Sequence, residues 1–496
     1  MEICRVWRLL KVVAMALRGL FLLQVPVASV GSRGAWSPNP RADPAAVHRC
    51  DNATRFTFLT PRLVRVEFSQ EGAFEDRATT AIENRRLPPP QVLRVTTGPV
   101  WCEVTAIWED DGSESTMTVH YRPGAAGDTA IEVETVLGDG EIVRWRQGDE
   151  DTGNLKGTRF DLAQCCANPG TSTPSELDPR FPLANGILSR NGWSLLDDSH
   201  SHAINPAAVG SWDWIDSEAR ESELDLYVFT CGAQFRQCLQ DFTAVSGPIN
   251  LPPLSAFGHW WSRHWGDPFD GIYFGPMTQQ AIIKDVIQGY RDHELPLHQV
   301  VFDMEWHQQV SNADCKSFVG MRGWASWTWN RTLFPDPNSF ASWLHAGNTS
   351  DSYGHPLKLA LNLHPDAPFT HCEAMYEAFA AALGLDPGSR QDIKLDYFNQ
   401  TVMMALANVV MPTLHADFLW MDSPTVTTWK NGFYDKVLLK QGRRPLVLSR
   451  YGGWGNQRYP IGFSGDTRRV WDTLHYLVYF TPTAANVGFG YWSHDI

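Results

Sequence analysis

The stretch from residue 415 to 429, His-Ala-Asp-Phe-Leu-Trp-Met-Asp-Ser-Pro-Thr-Val-Thr-Thr-Trp, decides how the chain is read. Phe418, Leu419, Trp420 and Met421 form an apolar run long enough for a parallel strand buried on both faces. The run stops at Asp422, and Ser423-Pro424 then break regular structure, because the residue before a proline is pushed out of helical conformation. A carboxylate at the C-terminal tip of a buried parallel strand is where α/β barrels keep their chemistry. Some forty residues on, Ile461-Gly462-Phe463-Ser464-Gly465 ends in the same way on Asp466. Two such aspartates point to glycosidic-bond chemistry, which needs a pair of carboxyl groups across the bond. A strand-end Asp taken alone serves equally well as a cap for the next helix, so the weight falls on the surrounding chain.

Working outward, further strand candidates lie at 256–261, 299–302, 357–363, 445–448, 461–463 and 488–492. Between them, 278–293 carries Ile282, Ile283, Val286, Ile287 and Tyr290 at helical spacing. An amphipathic helix at 372–383 stops at Gly384, and another is expected near 468–480. Strands alternating with helices mean a parallel sheet, and polar residues at the strand ends predict a (β/α)8 TIM barrel over 250–496. Seven strands are read, and the chain stops where an eighth unit should begin. The expectation is therefore a barrel incomplete at its C-terminus, with an unpaired strand edge.

Upstream, residues 45–245 carry short alternating runs at 55–60, 63–68, 117–121, 131–136 and 224–229. Alternation of this kind marks half-buried antiparallel strands and predicts an N-terminal β-sandwich. The irregular stretch 165–215, with Asn191-Gly192-Trp193 and Asp197-Asp198, is either a loop reaching towards the active site or plain surface.

Residues 1–31 read as a signal peptide, with Arg5, Arg8 and Lys11 ahead of an apolar region from Leu20 to Ala28. Arg18 interrupts the apolar run, so no stable membrane insertion is expected. The chain is thus expected to be secreted or to enter the lumen of the secretory pathway. Glycosylation triplets at Asn52, Asn330, Asn348 and Asn399 agree with this. Apart from Cys4, eight cysteines remain, an even number suited to an oxidising compartment. Their pairing cannot be read from spacing, although the adjacent Cys165 and Cys166 are not expected to pair with each other. No pair of cysteines has metal-ligand spacing. A formal charge of −14 argues against a nucleic-acid partner, which requires cationic side chains to neutralise phosphates. Among 21 tryptophans, most fill core volume, yet indole faces also stack on sugar rings.

The strand-end residues gain meaning as a series: Asp303-x-Glu305-Trp306, Trp420-x-Asp422, Ser449-Arg450, Phe463-Ser464-Gly465-Asp466 and Ser493-His494-Asp495-Ile496. With Trp260-Trp261-Ser262-Arg263, Asn362-Leu363-His364-Pro365 and Tyr459-Pro460-Ile461-Gly462, the series resembles glycoside hydrolase family 31 over about residues 50–496. This is the retaining α-glucosidase and α-xylosidase family. The resemblance implies a nucleophile at Asp422 and an acid/base at Asp466. It places Asp303, Trp420, Arg450 and Phe463 along the −1 sugar subsite, and Asp495 matches the Asp near the end of the barrel. The implied partner is an α-linked oligosaccharide or polysaccharide, with no metal or organic cofactor. An α-glucosidase is expected first, with an α-xylosidase or a glucan-processing glucosidase of the secretory pathway as alternatives. A non-catalytic carbohydrate-binding remnant of the family is the alternative of another class. Three departures bear on this. Ser423-Pro424 follows the nucleophile position where many members read Met-Asn-Glu, and Phe463 stands where many carry Trp. The histidine that the family takes from the eighth barrel unit is not found.

Overall fold

A computed structural model describes residues 36–110, 112–123, 131–162, 182–207, 212–220, 224–264, 279–308, 324–346, 356–423, 425–467 and 470–495. The expected signal peptide, Cys165-Cys166, the Asn348 triplet, Pro424 and the first part of the irregular stretch lie outside the described residues.

The N-terminal part is built from two antiparallel sheets. Its strands are β1 (Val47–Arg49), β2 (Thr54–Thr60), β3 (Leu63–Phe68), β4 (Val92–Gly98), β5 (Trp101–Asp110), β6 (Ser113–Tyr121), β7 (Ile131–Val136), β8 (Ile142–Arg146), β9 (Trp193–Asp197), β10 (His202–Asn205), β11 (Trp214–Ala219) and β12 (Leu224–Thr230). One sheet runs β1-β2-β3-β12-β9 and the other β4-β5-β6-β7-β8, with β10-β11 as a separate hairpin. Phe56, Phe58, Val64 and Val66 of the first sheet pack with Val104, Met117, Val119 and Trp145 of the second. Each such side chain contributes roughly 1.5–3 kcal/mol by leaving water. The Cys50–Cys102 disulfide ties the end of β1 to β5, and Cys231–Cys238 leads into the helix Phe235–Ser246.

The sequence predicted half-buried strands here, and for β2 and β3 this needs correction, since both are buried on both faces. Part of the second face packs on that helix, through Leu63, Tyr227 and Phe229 against Phe242 and Val245. The remainder holds paired charges. Arg65 donates to both oxygens of Asp225 at 2.8 and 2.7 Å, and Arg55 to both oxygens of Glu67 at 2.6 and 2.8 Å. A charged residue therefore sits inside because its partner is also inside, which an alternating pattern does not reveal.

The C-terminal part is one parallel sheet of seven strands in sequential order. These are β13 (Trp260–Arg263), β14 (Gln299–Phe302), β15 (Lys358–Leu363), β16 (Phe418–Met421), β17 (Val447–Ser449), β18 (Pro460–Phe463) and β19 (Trp492–Ser493). Alternate residues divide between two cores. Val301, Ala360, Phe418, Trp420, Leu448, Ile461 and Phe463 meet inside the sheet. Val300, Phe302, Leu359, Leu361, Leu419, Met421 and Val447 face the outer helices, including Pro337–His345 and Thr428–Lys440. Burial on both faces is why these strands read as continuous apolar runs.

Two strand starts in this sheet move by four residues. The 256–261 candidate begins as a 3₁₀ turn, Leu254–Phe257, entered from Pro253, and extended pairing starts only at Trp260. The last strand starts at Trp492, not 488, because Gly488 ends a 3₁₀ turn at φ 87°. β13 and β19 each pair with one neighbour, and no eighth strand occurs among the described residues. No helix among them is long and apolar enough to cross a membrane.

Candidate active site

Asp422 is the first residue past β16. Its backbone N–H still donates to the Leu363 carbonyl at 3.1 Å, so the neighbouring strand fixes where the carboxylate begins. Arg450, the residue after β17, donates to Asp422 Oδ1 through Nε at 3.2 Å and Nη2 at 2.6 Å. His364, the residue after β15, brings Nε2 to 3.6 Å from Asp422 Oδ2. Three adjacent strand ends thus supply a carboxylate, a guanidinium and an imidazole. Burial pushes the Asp422 carboxyl up, but His364 and the charge and hydrogen bonds of Arg450 outweigh it and hold the group below the usual range.

Asp466 follows the turn Ser464-Gly465 beyond β18. Its Oδ1 lies 3.9 Å from the same Arg450 Nη2, and its side chain is 77% exposed. Burial of its inner side and the negative charge of Asp422 raise its carboxyl, opposed by Arg450 and His364 and assisted by Asp161. Because both oxygens are measured from one nitrogen, 2.6 Å and 3.9 Å laid end to end put them at most about 6.5 Å apart. The pair therefore has one carboxylate held ionised and a nearby one biased towards its protonated form.

Phe463 and Trp420 pave the inner wall, with ring centroids 5.5 Å apart in an edge-to-face arrangement. The Arg450 guanidinium lies 5.1 Å over the Phe463 ring, so the cation rests on an aromatic face while serving carboxylates. Asp303, at the tip of β14, accepts the Met304 N–H at 2.8 Å and so caps the 3₁₀ turn Met304–Trp306. Burial first, then the Glu305 carboxylate, push its carboxyl up to about 6, and Asp422 adds to the effect. Glu305 in turn pairs with His264 at 2.7 Å. Trp306, from the same strand-end series, is fully buried, its indole N–H donating to the Asn362 carbonyl at 2.8 Å. Asp495 is tied to the Asp466 turn through its backbone carbonyl, which accepts the Thr467 hydroxyl.

The sequence reading gave no role to His364, Phe160 or Asp161. His364 had a signal, being the first polar residue after an apolar strand. Phe160 and Asp161 had none, since they belong to an aperiodic stretch of the N-terminal part. That stretch nonetheless reaches the site. Leu162 N–H donates to the Ser464 carbonyl at 2.7 Å, Asp161 Oδ2 lies 3.4 Å from Arg450 Nη1, and Phe160 lies under the guanidinium at 5.7 Å.

Comparison with known proteins bears on this arrangement. The model of the glycosyl hydrolases family 31 TIM-barrel domain matches residues 249–427 and 420–496, together half of the chain. The α-xylosidase XylQ of Lactiplantibacillus pentosus is 23% identical over 158 residues, 32% of this chain and 18% of that protein. The family 31 dextranase of Flavobacterium johnsoniae, solved with glucose, superposes with a TM-score of 0.55 at 15% identity, over 91% of this chain and 59% of the dextranase. A family 31 α-xylosidase from a soil metagenome, solved with xylose, gives 0.54 at 14% identity, over 91% of this chain and 71% of that enzyme. The chain thus spans less than two thirds of the length of the first two relatives.

Proposed function

The chain belongs to glycosyl hydrolase family 31, and on that premise we propose that it is a retaining α-glycosidase with Asp422 as nucleophile and Asp466 as acid/base. The observation that carries the reading is the single Arg450 nitrogen shared by both carboxylates. A bound of about 6.5 Å on their separation accommodates the roughly 5–5.5 Å of a retaining pair and reaches only the lower edge of the inverting range of about 6.5–9.5 Å. Ionised Asp422 attacks the anomeric carbon of the α-glycoside, while protonated Asp466 gives its proton to the departing oxygen. Water, deprotonated by Asp466, then attacks the β-glycosyl ester and restores both groups. The opposite displacements of the two carboxyls suit this division of labour.

Asp303, Trp420, Arg450 and Phe463 are assigned to the −1 sugar subsite, Trp420 and Phe463 as its apolar wall, and Asp495 to substrate binding at the end of the barrel. The substrate is a terminal α-linked glucose of an oligosaccharide or polysaccharide. A second reading, an α-xylosidase, is favoured by the curated relative of that name. Entry into the secretory pathway is supported by the disulfides Cys50–Cys102 and Cys231–Cys238, since such bonds persist in oxidising compartments.

The test is hydrolysis of 4-nitrophenyl α-glucoside beside the α-xyloside, with Asp422→Ala as the control. Turnover of the glucoside that vanishes in the variant supports the reading, and faster release from the xyloside selects the second. An unchanged rate in Asp422→Ala ends both. Affinity for sugar without turnover favours a binding remnant.

A further inference from the structure

Arg450 has more carboxylates around it than one guanidinium neutralises. Nε and Nη2 aim at Asp422 Oδ1, Nη2 lies 3.9 Å from Asp466 Oδ1, and Nη1 turns the other way, 3.4 Å from Asp161 Oδ2. Asp161 is not at a strand end. It sits on a short strap from the N-terminal part, anchored on both sides. Leu162 is fully buried with Tyr476 and Phe480 of the helix Trp471–Ala484, and its N–H is bonded to Ser464. Phe160 packs under the guanidinium. Gly465, at φ 74°, leaves the space that the Nη1 arm occupies, since a Cβ there would run into Nη1 and approach Asp161 Cβ to 3.0 Å.

We propose that Asp161 is a positioning residue for the acid/base step: it occupies the Nη1 arm of Arg450, so that the guanidinium serves Asp422 and does not close onto Asp466. The inference rests on the reading of Asp466 as the proton donor. An arginine bonded through both arms to Asp466 would favour the carboxylate, the wrong form for donating a proton. The groups facing Asp466 are Asp422 from β16, Arg450 from β17, His364 from β15 and Asp161 from the strap. Arg450 and His364 act against the protonated form, whereas Asp422 and Asp161 favour it. Of the two that favour it, Asp161 is free to be altered without removing the nucleophile.

The test titrates Asp466 directly in the full chain carrying carboxyl-¹³C aspartate, its resonance assigned by its loss in Asp466→Asn. Asp161→Asn is expected to lower the Asp466 midpoint by about half a pH unit to one unit, and Asp161→Glu to restore it. Asp161→Ser reads the same midpoint should the amide variant not fold. A residue that merely braces the strap would change stability and leave the midpoint where it was. A midpoint that stays or rises in both Asp161→Asn and Asp161→Ser overturns the proposal. Because titration needs no turnover, failure of the hydrolytic reading would show separately, as no glycoside cleavage by the unaltered chain. In an active chain, the alkaline limb of kcat/KM moves down with the midpoint.

Discussion

Replacing Arg450 by methionine probes the pair on which the site is built. Methionine keeps an apolar stem above Phe463 and removes the cation, so the loss is electrostatic more than steric. The Arg450–Asp422 contact is 2.6 Å, with side chains only 10% and 14% exposed, which places it among buried ion pairs and not surface ones. Removing one partner of such a pair costs about 3–5 kcal/mol. His364 at 3.6 Å retains some of the interaction, so a deficit of about 2–4 kcal/mol at neutral pH is expected. Its pH dependence is diagnostic. In the unaltered chain the Asp422 carboxyl lies below its ordinary value, so its contribution is present above about pH 4 and is lost as pH falls through the folded midpoint. Without Arg450, burial is opposed by His364 alone and the carboxyl moves up from its place in the unaltered chain, so ionised Asp422 contributes less above that pH. The gap between the two proteins is therefore widest near neutrality and closes below about pH 4. Urea unfolding followed by tryptophan fluorescence, at about pH 7 and again at the lowest pH where both fold, measures it. A neutral-pH deficit under about 1 kcal/mol, the size of a surface pair, or one equal at both pH values, refutes the reasoning.

Three other outcomes follow from the same geometry. Gly465→Ala forces a methyl against Arg450 Nη1 at φ 74°, and should cost about 1–3 kcal/mol and most of the hydrolytic rate; thermal melts and kcat together check this, and a near-normal kcat contradicts it. Arg65→Met takes the bidentate partner from buried Asp225, leaving it Arg220 at 2.7 Å, and should cost about 2–4 kcal/mol, part of it recovered in Arg65→Met/Asp225→Leu; a double variant as unstable as the single one would show that packing, not the weakened pairing, sets the loss. Burial pushes the Glu373 carboxyl up to about 7, against bonds from Thr328, Trp327 and Ser326. Its favourable contribution is present below about pH 4.3 and is lost as pH rises through 7. Relative to the unaltered chain, Glu373→Gln should therefore gain roughly 1–3 kcal/mol between about pH 5 and pH 8; denaturation midpoints that diverge the other way contradict this.

Much of the barrel was legible because its strands are buried on both faces and stop at charged residues. The runs 299–302 and 418–421 keep their bounds as β14 and β16, since Asp303 and Asp422 end them sharply. The sandwich strands β3 and β7 also keep theirs, β3 starting from the turn at Pro61-Arg62 and β7 running out into the turn at Gly138-Asp139. Where glycine and proline decided the geometry, the reading slipped. Pro253 led into a 3₁₀ turn, and the left-handed Gly488 delayed the last strand. The buried side of β2 and β3 was hidden because a guanidinium inside looks in sequence like one outside. At the site, Asp422 and Arg450 are in direct contact, while Asp303 accepts its neighbour's backbone N–H and the Asp495 carbonyl accepts the Thr467 hydroxyl. His364 stood in a quoted motif without a role, although it lies at a strand end. Asp161 could not have been found, because its place beside Arg450 depends on Leu162 docking against residues more than three hundred positions away.

The most direct measurement is to trap the glycosyl-enzyme with 5-fluoro-α-glucosyl fluoride, digest it and map the adduct by mass spectrometry. One added sugar is expected on the peptide containing Asp422, absent from Asp422→Ala. An adduct on Asp466 or any other carboxylate, or hydrolysis of the reagent with no label at any time, would contradict it.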